Sequence, residues 1–342
     1  MKIRKIHLFY IQSNFHLIIS KGIIKELELS DEDVYYIVQR NVSLPKESKV
    51  LFDESGKGFS DRIRFYLRNR LILKEILGGN QVCAYFPFDF FFNTLKFYDS
   101  YSFYEEGLSS YAIKQVDGGA KRYISTILKT LMIILLFPFA SSNIKGFLVE
   151  SINTRQLPKK KTDLYICGDN AYNKINHQLV HKVVLPSYSS VHLSKINNST
   201  ILVLDRQSSQ GRPYNLDNYY EALKEMLSKY ELNKTVYIKF HPADINDSGS
   251  KHKIEQLLKE FNYSYNIFES SLEDIAAGDQ HNTFIGSNST ILYYAPIFGK
   301  TNKSVSFIRL LAKRDEKYRE FLKMWGGVDA FCEMFSHNVE CL

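Results

Sequence analysis

The chain has 342 residues, 44% of them hydrophobic and 24% charged, which is enough to build two cores of ordinary domain size. Its net charge of +7 suits anionic partners such as nucleotide-sugars or phospholipid surfaces, while the lack of an RRM-like aromatic signature, zinc-finger spacing or a basic helix leaves nucleic acid without support. Cys83, Cys167, Cys332 and Cys341 form neither a CxxC pair nor a disulfide framework, which points to a reducing compartment.

The opening MKIRKIHLFYIQSNFH turns polar within a strand-length apolar run and has no signal-peptide cleavage pattern, so a cytoplasmic protein is expected. Strands are predicted over Ile3–Ile11, Val34–Gln39, Val50–Phe52, Val82–Phe86 and Ser100–Tyr104, with helices from Asn14 and over Ser60–Leu77. Asp31, Glu32 and Asp33 spell a DxD, but they stand in an acidic turn with Ser30 as a natural cap, so no metal site is assigned. The apolar stretch Ile124–Ala140 is interrupted by Lys129 and its clean run is too short to span a bilayer. It reads as a core helix or, given Lys114, Lys121, Arg122 and Lys145 around it, as a peripheral contact with the inner face of the cell membrane. Lys159–Lys161 read as a solvated linker.

Asp163–Asp169 and Val180–Pro186 continue the strand pattern, and the polar Ser187–Ser199 looks like the connection between domains 1–190 and 191–342. His177 and His181 are four apart, but Gln178 stands where the zinc hydrolases need glutamate. A second series follows: strands over Thr200–Asp205, Thr235–Phe240, Tyr263–Phe268, Thr283–Gly286 and Val305–Ile308, and a helix over Leu216–Tyr230. This alternation predicts an α/β protein of two nucleotide-fold-like halves facing a central cleft, with ligands at the carboxyl ends of the strands.

Three constellations fall at such strand tips. Glu105, Glu106 and Gly107 follow the strand SYSFY, where crowded carboxylates supply a candidate base, although an acidic first helical turn would read the same way. His241 and Pro242 end TVYIKF, where an imidazole donates to a leaving phosphate or serves only structure. Gly286, Ser287, Asn288, Ser289 and Thr290 make a hydroxyl-rich turn into a helix, a phosphate site built without lysine or metal and richer than an N-cap alone requires.

In order and spacing, EEG, HP and SNST resemble the motifs of the bacterial sialyltransferase superfamily, which includes the lipooligosaccharide sialyltransferases (glycosyltransferase family 52) and the capsular polysialyltransferases. The resemblance covers nearly the whole chain. It implies a GT-B fold of two Rossmann-like domains, the first holding acceptor and base and the second the CMP donor. It further implies inverting transfer from CMP-sialic acid to a terminal sugar of a bacterial surface glycan, with no cofactor and no required metal. Glu106 becomes the base in preference to Glu105, and His241 meets the phosphate. Ser287, Ser289, Thr290, Gly286 and Pro242 join the donor site. Ser13 and Asn14 resemble the family's contacts near the sugar and Glu273 its ribose carboxylate, with Glu269 as competitor; Ser208 and Ser209, in the loop after TILVLD, are candidates to face the phosphate. The chain carries glutamate where the family often has aspartate in the first motif. The competing readings are a CDP-glycerol-type transferase of cell-surface polymer synthesis and a non-catalytic glycan- or membrane-binding partner in capsule assembly.

Overall fold

The computed structural model describes residues 3–39, 42, 44, 46–54, 78–87, 100–111, 162–168, 171–172, 180–185, 196–207, 212–232, 235–241, 244–268, 271–277 and 280–342. The apolar run KIHLFYI forms strand β1 (Lys5–Ile11), buried along all but its first residue. A strand buried on both faces belongs in the middle of a parallel sheet. It is flanked by β2 (Val34–Gln39), then β3 (Val50–Glu54), on one side, and by β4 (Gln81–Pro87), β5 (Ser100–Tyr104), β6 (Thr162–Ile166) and β7 (Val180–Val184) on the other. Every neighbouring pair runs parallel. All carboxyl ends of this sheet therefore open on one edge.

The second sheet repeats the plan with β8 (Thr200–Val203), β9 (Thr235–Lys239), β10 (Ser264–Ile267), β11 (Thr283–Gly286), β12 (Lys303–Ser306) and β13 (Glu340–Cys341). Its order, β10-β9-β8-β11-β12-β13, is the doubly wound order whose direction reverses between β8 and β11, the place where such sheets bind nucleotides. The chain divides into two compact units at Pro186/Ser187, and each has the parallel Rossmann-like build of a GT-B half.

The first helix, α1 (Asn14–Glu26), starts where the sequence predicts because Ser13 accepts the His16 N–H. In the second unit α2 (Leu216–Lys229) is capped by Asn215, and α3 (Ser248–Glu260) by Asp247. The short α4 (Leu272–Ala276) leads to β11, and α5 (Thr290–Phe298) leaves it. After β12 come α6 (Ile308–Arg314), which packs on α2, and α7 (Glu316–Leu322) and α8 (Val328–Phe335), which pack on α6 and on each other. β8 ends before the expected Asp205 because the Leu204 N–H still bonds the Lys239 carbonyl, while the Asp205 N–H turns to the Tyr219 hydroxyl. β13 was not predicted; two residues are too few for a periodicity to show.

The DED turn of residues 31–33 is capped by Ser30, and Asp33 pairs with Arg4. His181 lies 3.6 Å from Asp163 across β6 and β7. Among the described residues no helix is long and apolar enough to cross a membrane. The predicted helix 60–77, the apolar 124–140 stretch with its flanking lysines and arginine, Lys159–Lys161 and His177 lie outside the described residues.

Gly286 is required by close approach: a Cβ there would come within 2.7 Å of the Val203 carbonyl on β8. Because the obstacle is backbone, Gly286→Ala has to push β11 away from β8. We expect a loss of about 1–3 kcal/mol in denaturant unfolding; an unchanged midpoint would show that the strands separate without cost.

Candidate active site

In the first unit the tips of β1, β5 and β6 meet. The Tyr104 hydroxyl donates to the Tyr10 carbonyl, which ties β5 to β1 across β4. Buried His16 packs edge-on against the Tyr104 ring, 5.4 Å between centroids, and its Nδ1 accepts the Gln12 N–H at 3.2 Å. Ser13 and Asn14 stand at the same tip, and the Ser13 hydroxyl accepts the N–H of His16. Two aromatic residues and a histidine thus fix the β1 turn against the end of β5.

The two adjacent glutamates have different tasks. Glu105 is fully buried and its Oε2 accepts the N–H of Cys167 at 2.7 Å and of Gly168 at 3.5 Å. Glu105, expected beside Glu106 as a second catalytic carboxylate, thus has one oxygen bonded to two backbone amides at the end of β6. Glu106 is partly exposed, and its backbone N–H donates to Ser110 Oγ at 3.1 Å. Burial raises the Tyr104 pKa well above its ordinary value, and the nearby Glu106 charge adds to that shift. Gly107 takes φ +121°, a conformation that favours glycine, so the chain can turn directly after Glu106. Ser110 Oγ also donates to the Tyr172 hydroxyl at 2.8 Å, and the Tyr111 hydroxyl lies 2.2 Å from where a Gly168 Cβ would stand. The loop after β5 is held by the loop after β6.

In the second unit the reversal between β8 and β11 is closed by a hydrogen bond: Ser287 Oγ donates to Asp205 Oδ2, and the Asn288 N–H donates to the same carboxylate. The Ser287 carbonyl in turn accepts from Ser306 Oγ at the tip of β12, and the Tyr318 hydroxyl lies 3.5 Å from Ser287 Oγ. Ser287 is fully buried. The hydroxyl expected at the phosphate is therefore bonded to Asp205 here. Ser289 caps α5 without a side-chain bond to the helix, and helix geometry leaves the first-turn amides beside Thr290 without intrahelical partners. Such amides are the chemistry that an anion needs.

His241 lies just past β9 and is half-buried; burial and Arg206 lower its pKa, against a smaller rise from Asp244. Asp244 is fully buried, with its N–H on the His241 carbonyl at 2.8 Å and its Oδ2 accepting the Gln207 N–H at 2.6 Å. It fastens the turn after His241 to the loop after β8. Glu273 opens α4 and accepts from Ser271 Oγ at 2.6 Å. Pro242, Ser208, Ser209 and Glu269 lie outside the described residues. His16, Asp205 and Asp244 were not picked out from the sequence. The only signals were a histidine inside an apolar helix, an aspartate closing the apolar run TILVLD, and the aspartate of HPAD.

The model of the family described as Alpha-2,8-polysialyltransferase (POLYST) matches residues 80–307, about two thirds of the chain. The chain belongs to this family. The matched span contains Glu105–Gly107, His241 and Gly286–Thr290, and the protein is a glycosyltransferase of sialyltransferase type, acting between a nucleotide-sugar donor and a glycan acceptor. No curated sequence matches. Among solved structures it is similar to a glycosyltransferase from Rickettsia africae ESF-5, with 10% identity over 98% of this chain and 94% of that one and a TM-score of 0.43. It is also similar to the Methanocaldococcus jannaschii UDP-GlcNAc 2-epimerase in complex with UDP-GlcNAc and UDP, at 13%, 99%, 88% and 0.42. A third is a UDP-glucosyltransferase from Polygonum tinctorium, at 10%, 94%, 83% and 0.44. Such low identities carry nothing about substrate.

Asp205 keeps a little surface exposure, yet its surroundings push its pKa up to about 6; burial raises it and the bonds from Ser287 and Asn288 only partly offset the rise. A carboxyl raised in the fold above its unfolded value penalises the native state above about pH 6, and the penalty disappears as pH falls toward the unfolded value near ~4. The full penalty, with the two hydrogen bonds already included, is on the order of 2–3 kcal/mol. Asp205→Asn should therefore gain in Tm relative to the parent as pH rises from ~4 to ~7. A Tm difference flat across that range would show that Asp205 does not titrate there.

Proposed function

We propose that the protein transfers sialic acid from CMP-sialic acid to a terminal sugar of a bacterial surface glycan, with inversion and without a metal. The observation that carries this reading is the division of labour within EEG. Glu105 is spent on the Cys167 and Gly168 amides, while partly exposed Glu106 stands at the carboxyl edge of the sheet, where open α/β sheets keep their ligands. In the reaction Glu106 takes the proton of the attacking acceptor hydroxyl as that oxygen bonds the anomeric carbon. The bond from that carbon to the CMP phosphate breaks with inversion, and its electron pair leaves with the phosphate. The sugar passes through an oxocarbenium-like state, so stabilisation is needed most at the departing oxygen. His241, Ser289 and the first amides of α5 supply donors of the kind a phosphate needs, which is the support for metal-free departure. Ser13 and Asn14 lie at the sugar end of the first unit in this reading, and Glu273 holds the ribose. Activity at the inner face of the cell membrane fits a lipid-linked acceptor.

The imidazole pKa sets the pH behaviour. His241 lies below its ordinary value in the free protein because burial and Arg206 outweigh Asp244, and a bound phosphate raises it again. If protonated His241 assists departure, kcat/KM, which reports the free enzyme, loses activity on the alkaline side at lower pH than kcat does. Asp244→Asn removes the upward pull and should move the kcat/KM limb further toward acid. Identical alkaline limbs for the two parameters, unmoved by Asp244→Asn, would remove His241 from the leaving-group role. In parallel Glu106→Gln should cost ~10²–10⁴-fold in kcat with CMP binding retained, whereas Glu105→Gln should lower Tm.

A further inference from the structure

We propose that Asp205 is a positioning residue for the donor phosphate: its carboxylate holds Ser287 and the Asn288 amide so that Ser289 and the first turn of α5 face the anion. The inference deepens the CMP-donor reading and rests on it. A turn between a strand and a helix has many conformations, and fixing each residue costs about 1–2 kcal/mol of backbone entropy. Here the turn is fixed before any ligand arrives. Ser287 Oγ and the Asn288 N–H are committed to Asp205, the Ser287 carbonyl to Ser306, and Gly286 is pressed against Val203. What remains to face a ligand is the Ser289 hydroxyl, without a cap bond, and the α5 amides.

The backbone of Asp205 is itself held. The Asp205 N–H donates to the Tyr219 hydroxyl at 3.3 Å, and its carbonyl accepts from Gln207 Nε2 at 2.7 Å. Buried Tyr214 and Tyr219 stack at 4.9 Å, with Tyr318 edge-on to Tyr214 at 5.9 Å. Neighbouring Gln207, only 2% exposed, leaves Oε1 without a protein partner among the described residues, a buried acceptor that a ligand donor would satisfy.

The test compares CMP with cytidine by titration calorimetry on the full chain, so that phosphate recognition is read apart from base and ribose. The parent should bind CMP more tightly than cytidine. Asp205→Asn and Ser287→Ala should each weaken CMP about tenfold with cytidine binding unchanged, and the double variant should lose no more than either single one. Asp205→Glu serves as a second variant and should restore part of the CMP preference. If the parent binds CMP and Asp205→Asn binds it equally well, or loses CMP and cytidine together, Asp205 is not a positioning residue and the donor reading stands. If the parent binds neither, the donor reading falls and this inference with it.

Discussion

The hydrogen bond from Ser287 to Asp205 joins the two strand tips between which the second sheet reverses direction. The rest of the switch-point edge of the second unit depends on it. Parallel pairing brings β8 and β11 to the same edge, but pairing alone does not say where the chain goes next. Asp205 draws the residues after β11 toward β8, Gly286 allows the strands to come close enough, and Ser306 holds the turn from the side of β12. The helix that follows then begins with its amides at the sheet edge. An anion there is stabilised by unpaired N–H groups and the helix dipole together.

The first unit uses the same device with a different carboxylate. Glu105 accepts the amides at the end of β6, as Asp205 accepts the amide and hydroxyl at the end of β11. In both units a carboxylate that faces the protein is adjacent in sequence or space to a group that faces outward: Glu106 beside Glu105, and Ser289 beyond Ser287. Buried carboxylates are costly unless their lone pairs are used. Both are used, which is why two short polar motifs can stay ordered at the ends of otherwise apolar strands. Asp244 repeats the pattern by tying the turn after His241 to Gln207.

The sheets were legible in the sequence because buried parallel strands are written as short apolar runs, and β2, β5 and β11 fall where KIHLFYI-like runs predict them. Helix starts were legible at Ser13 and at Asn215, where one side chain satisfies an orphan amide. The three motifs were legible as candidate strand tips. Their internal assignment was not: EEG does not say which glutamate turns inward, since that depends on the Cys167 and Gly168 amides of a strand far along the chain. Likewise Ser287 reads as a phosphate ligand until Asp205 is seen across the sheet. Asp205 and Asp244 carry no signal of their own in the sequence, because an aspartate after an apolar run is also what an ordinary turn contains.

The proposed reaction moves a CMP-activated sugar with amides, hydroxyls and an imidazole in place of a metal. It is tested most directly by incubating the protein with CMP-sialic acid, and separately with UDP-sugars, in the presence of EDTA and a glycan acceptor, and measuring nucleotide release. The account predicts release of CMP that EDTA does not diminish, and no UDP. Release confined to a UDP-sugar, or CMP release that requires an added divalent ion, would contradict it.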